Sequence, residues 1–152
     1  MNEASYNSAL STDIKRLMGG RTVKIADKAT LGLPDSMHIQ YGLVTFYECK
    51  ISKSNNRAFV FPWAHINDNR QYEVCKKFSE HALVLYAVYF PFIKYSLVVS
   101  IRELENRRSN TSITVGPGRF FTPGHGADLI KARIIDYREQ TWNTLGLLGG
   151  HR

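Results

Sequence analysis

The amino-acid sequence predicts an α/β fold, a mixed central β-sheet flanked by helices. Apolar residues recur at helical spacing near the N-terminus and again over 69–81. Apolar or alternating runs of strand length lie between and after those helices. The order helix, strand, hairpin, helix, strand, strand gives a sheet with two faces to cover. At 152 residues the chain is one domain's worth, a size that buries about 70% of its unfolded surface on folding.

The first helix is carried by Tyr6, Leu10, Ile14 and Leu17 and stopped by Gly19-Gly20. Glu3 stands at the head of that stripe. It reads equally as a carboxylate favoured by the helix dipole or as an acid turned toward the body of the protein. Residues 22–25 form a short strand, and 27–36 a loop punctuated by Gly32 and Pro34. Residues 37–41 and 43–51 make a hairpin about Gly42. In its second strand Leu43, Thr45, Tyr47, Cys49 and Ile51 point one way, and Val44, Phe46, Glu48 and Lys50 the other. Both faces begin apolar, which predicts a central strand. The two charges ending one face are the anomaly. Next come a polar stretch at 52–56, an extended segment over 59–63 and the helix at 69–81. Buried strands at 82–90 and 95–101 follow, then a charged surface helix at 102–108. The glycine- and proline-rich 114–126 segment predicts a loop or flap. A strand at Ile134-Ile135 and a helix over 137–145 are expected to close the chain.

Composition narrows the function. Twenty Lys and Arg against thirteen Asp and Glu give a net charge of +7, which favours a polyanionic partner, nucleic acid first. No apolar run approaches the ~20 residues of a membrane helix. The first residues have neither the basic patch nor the apolar core of a secretory signal. Cys49 and Cys75 form no CxxC pair, so neither a zinc site nor a disulfide framework follows, and a reducing cytoplasm is expected. The five histidines share no metal-ligand spacing.

Glu48 and Lys50 share a strand face about 6.7 Å apart along the chain, close enough to meet one phosphate group. A carboxylate there can hold a divalent cation while the ammonium meets phosphate oxygens or attacking water, the parts phosphodiester hydrolysis needs. Magnesium takes one or two carboxylates and several waters, and Asp35, at the mouth of the hairpin, supplies the second. Alone, Glu-x-Lys occurs by chance about once in ~280 positions, and Pro-Asp is a common turn pair. The combination is far sharper.

On Glu3, Gly32-Leu33-Pro34-Asp35 and Phe46-Tyr47-Glu48-Cys49-Lys50 the chain resembles the PD-(D/E)xK nuclease superfamily. Phe61-Pro62-Trp63-Ala64-His65-Ile66, Gln71 and the apolar strand over 82–90 are similar to RecU-type Holliday junction resolvases, whose fold the small archaeal Hjc-type resolvases share. The resemblance covers residues 3–105 and implies a restriction-endonuclease-like core, taken as 1–110, with 111–152 a C-terminal extension of the same domain. It implies Mg2+ or Mn2+ as cofactor, held by Glu3, Asp35 and Glu48, with Lys50 on water or phosphate and Gln71 steadying the site. It further implies a homodimer cutting four-way junction DNA by paired symmetric cuts, in the cytoplasm of a bacterial, archaeal or phage-infected cell. The apolar 59–63 segment and the 86–95 strands are the candidate contact surfaces between copies, with burial in the core as the other reading. The stretch before Asp35 is too short for the RecU stalk. Lys24, Lys28, Lys53, Arg57 and Arg119 are the candidate DNA contacts, each also readable as solvated surface. The same residues admit another nuclease of this core (repair, restriction or phage exonuclease). They also admit a non-catalytic nucleic-acid-binding module in which Glu48 and Lys50 merely pair.

Overall fold

A computed structural model describes residues 1–25, 32–52, 60–62, 70–107, 112–114 and 123–146. Helix α1 (Glu3–Met18) starts at Asn2, whose side chain accepts the Ser5 N–H, and ends at Gly19. Strands β1 (Arg21–Lys24), β2 (Ser36–Gln40) and β3 (Leu43–Ile51) form an antiparallel meander. Tyr41 and Gly42, both at positive φ, make the two-residue turn that such a hairpin requires. Strand β4 (Val60–Pro62) pairs with β7 (Ser112–Thr114) in a separate two-stranded sheet. Helix α2 (Gln71–Phe78) leads into β5 (Leu83–Phe90), β6 (Tyr95–Ser100) and helix α3 (Ile101–Arg107). Helix α4 (Gly126–Thr144) follows β7.

The main sheet has the order β1-β2-β3-β5-β6, with β3 and β5 parallel and every other pair antiparallel. The mixed sheet and the central place of β3 are as the alternation predicted. One face carries α1 and α4 over Tyr6, Leu10, Ile14, Tyr47, Leu85, Val98 and Ile130. The other carries α2 and α3 over Tyr72, Cys75, Val84, Tyr86, Val88, Leu97 and Leu104. Each side chain goes where strand period two sends it: Tyr47 and Cys49 join the α1 layer, while Phe46 packs in the α2 layer.

Two expectations need correction. Ile134 and Ile135 are not a strand, and the last helix does not begin near Tyr137: both lie within α4. Ala127, Ile130 and Ile134 recur at helical spacing and bury against α1 and the sheet, which overrides the β-branched preference of the Ile pair. The buried Arg133 in that face is satisfied by Glu103 and the Val98 carbonyl. The second correction concerns the 86–95 stretch as a contact surface between copies. Tyr86, Ala87, Val88 and Phe90 are core, since β5 lies between β3 and β6. Phe92 and Tyr95, at the β5–β6 turn, are the exposed aromatics there.

Of the helix expected over 69–81, Gln71–Phe78 is helical: Arg70, just before it, takes a left-handed conformation, and residues 79–81 form the turn that follows. Among the described residues no helix is long and apolar enough to cross a membrane.

Candidate active site

Pairing of Ser36 with Tyr47 brings Asp35, just before β2, level with Glu48. Period two points Glu48 and Lys50 toward α2, where Gln71 opens the helix. Gly32 allows the approach. Its φ is +91°, and a Cβ there would lie 2.8 Å from Val74 Cγ2 and 3.2 Å from the Arg70 carbonyl oxygen. The breaker read from sequence as a loop residue is thus also the contact point with α2.

The two carboxylates interlock through the backbone. The Asp35 N–H donates to Glu48 Oε2 at 2.9 Å, and the Cys49 N–H donates to Asp35 Oδ2 at 2.9 Å. Asp35 Oδ1 and Glu48 Oε1 remain outside these two bonds. Lys50 Nζ lies 3.8 Å from Glu48 Oε1. Glu48 and Lys50 are 2% and 6% exposed.

Burial first, and then the negative charge of Asp35, push the Glu48 carboxyl up to about 9. Lys50 and a hydrogen bond from Gln71 pull the other way without winning. Near neutrality Glu48 therefore keeps its proton in the chain without a cation, and its contact with Lys50 is then no ion pair. The site is costly as it stands. A positive charge between the two acids would relieve it.

The donor chemistry fits a hard cation. Asp35 and Glu48 offer carboxylate oxygens, and the Gln71 Oε1 atom is buried with no hydrogen-bond partner. Gln71 Nε2 reaches the Leu33 carbonyl only at 3.5 Å.

The structure thus brings Asp35, Glu48, Lys50 and Gln71 together. Glu3 is exposed in the first turn of α1, over the other face of the sheet. Its charge reaches as far as the Cys49 thiol, yet among the described residues no three acidic, His or Cys side chains converge on one point. Lys24 is exposed on the edge strand and pairs with Ser36, one residue from Asp35, on the rim of the site. Lys28, Lys53, Arg57, Arg119 and most of the 114–126 flap lie outside the described residues, as does His65.

Asn7 was not singled out by sequence reasoning. It is 5% exposed, and its Oδ1 accepts from Ser36 Oγ at 2.8 Å and from Cys49 Sγ at 3.6 Å. The available signal was a polar residue on an apolar helix stripe, three before Leu10 and seven before Ile14.

No protein-family model matches the chain, and none of the curated proteins compared with it does. Among solved structures it is similar to Hjc of Archaeoglobus fulgidus, a Holliday junction resolvase from an archaeal hyperthermophile. The TM-score is 0.58 at 12% identity, over 83% of this chain and 98% of that one. At that identity the likeness is one of fold.

Proposed function

We propose that the chain is a PD-(D/E)xK nuclease, a metal-dependent, structure-selective endonuclease that resolves four-way DNA junctions. The observation that carries this reading is the interlocked Asp35–Glu48 pair with Lys50 beside it, at one end of β3. The shared fold with a resolvase agrees with it.

Asp35, Glu48 and the Gln71 amide oxygen would hold Mg2+ or Mn2+, which supplies charge at phosphorus and an activated water. Each protein group then has a task. With a cation held there Glu48 would be ionised, since a positive charge offsets both the burial and the Asp35 charge that raise its carboxyl. Lys50, beside Glu48 on the same strand face, would meet the phosphate oxygens on which negative charge grows. The two backbone N–H bonds fix the acids in advance, so little reorganisation is needed at the moment of reaction. Lys24 on the rim supplies a phosphate contact that positions DNA without reading sequence. Paired cuts on a four-way junction need two sites related by a twofold axis, so the working unit is a homodimer.

The test is incubation with a labelled four-way junction, a linear duplex and a flap, each with Mg2+ and with EDTA. Paired cuts confined to the junction and to Mg2+ support the reading. Equal cleavage of duplex supports another nuclease of the same core. Binding with no cleavage in either ion condition supports the non-catalytic module.

A further inference from the structure

Helix α1 covers the face of the sheet opposite Glu48 and Lys50, yet it buries a polar side chain directly behind them. Asn7 follows Tyr6 and precedes Leu10 and Ile14 on the inward stripe, where an apolar residue is the ordinary choice. A buried amide is costly unless it is satisfied. Asn7 Oδ1 accepts from both Ser36 Oγ and Cys49 Sγ. Those two residues are not arbitrary. Ser36 directly follows Asp35, and Cys49 stands between Glu48 and Lys50. Strand alternation turns Ser36 and Cys49 to the α1 face because it turns Glu48 and Lys50 to the other. One amide oxygen therefore ties together, from behind, the two strands that carry the acids. The Cys49 N–H continues the tie through the sheet to Asp35 Oδ2. Nearby, Tyr47 bonds Ser11 of α1, so the helix is held against β3 at two successive turns.

We propose that Asn7 is a positioning residue of the site: by holding Ser36 and Cys49 to a common point it sets the separation of the Asp35 and Glu48 carboxylates. Cation affinity and the rate of the chemical step then depend on a side chain that touches neither cation nor DNA. The inference rests on the reading of Asp35 and Glu48 as a metal-holding pair.

The experiment compares Asn7→Leu, which keeps the number of side-chain heavy atoms and suits the helix, with Ser36→Ala, which removes the hydroxyl donor. Mn2+ binding to DNA-free protein is followed by electron paramagnetic resonance, alongside single-turnover junction cleavage, KM and thermal melting. Asn7→Leu is expected to weaken Mn2+ binding and slow cleavage by roughly tenfold or more, as outer-layer changes at metal sites do. KM for the junction is expected to stay within about twofold, since no DNA contact is lost. Ser36→Ala is expected to act in the same direction, and the double variant to be no worse than Asn7→Leu, because Asn7→Leu already removes the one bond that Ser36→Ala does. If Asn7→Leu fails to fold, Ser36→Ala alone decides. Wild-type Mn2+ affinity and rate in the variant that folds overturn the inference. Losses that merely track the unfolded fraction overturn it too. Wild-type protein that binds no Mn2+ overturns the metal reading as well, a distinguishable failure.

Discussion

Replacing Glu48 by glutamine should make the metal-free protein more stable, not less. Burial and the neighbouring Asp35 raise the Glu48 carboxyl from the ordinary 4.5 to about 9, so at pH 7 folding forces a proton onto a group that is ionised when unfolded. Each pH unit above 4.5 adds about 1.4 kcal/mol to that cost, which makes about 3 kcal/mol at pH 7. Glutamine is the neutral isostere of the protonated acid. Its carbonyl still accepts the Asp35 N–H, and Lys50 sees an uncharged neighbour in both proteins. Because the folded value is raised, the Glu48 contribution to stability is at its best below pH 4.5 and is lost as pH climbs toward 9. The advantage of Glu48→Gln should thus vanish near pH 4.5, reach about 3 kcal/mol at pH 7 and level off above pH 9. Urea denaturation of both proteins in EDTA at several pH values measures it. Saturating Mg2+ should narrow the gap, since it binds only the folded wild-type site. A variant less stable than wild type at pH 7, or a gap independent of pH, would refute the reasoning.

Three other outcomes are expected. Gly32→Ala should cost about 2 kcal/mol, or about 4–8 °C in Tm, because its φ of +91° and the Val74 contact both resist a Cβ; cleavage should fall with it as α2 and Gln71 are pushed back. Lys24→Ala should weaken binding to junction and duplex alike and reduce the salt slope by roughly one, read from binding isotherms between ~50 and ~200 mM salt; a loss confined to one DNA would assign Lys24 a shape-reading role instead. Sedimentation should find a homodimer on junction DNA, and a monomer both free and on junction would contradict the paired-cut mechanism.

Much of this was legible in the sequence because it is local. Strand alternation over 43–51 placed β3 at the centre and set Glu48 and Lys50 on one face, and Gly32-Leu33-Pro34-Asp35 marked the second acid. What escaped depends on contacts between distant segments. Asn7 matters only because Ser36 and Cys49 arrive behind it, and a single polar residue on a helix stripe does not announce that. The α4 helix was misread because two adjacent isoleucines look like a strand until α1 and the sheet supply a helical face to bury. Glu3 shows the converse. Its place at the head of the stripe is as read, but the first turn of α1 leaves it exposed over the opposite face of the sheet from Glu48.

The most direct measurement is single-turnover cleavage of a four-way junction in Mg2+ by wild type, Asp35→Asn, Glu48→Gln and Lys50→Ala, with Asp13→Asn as control. Asp13 lies on α1, where it pairs with Arg16 at the surface. The account predicts losses of more than about tenfold in the first three variants, with binding largely kept and the control near wild type. A Glu48→Gln protein that cuts the junction at the wild-type rate would contradict it.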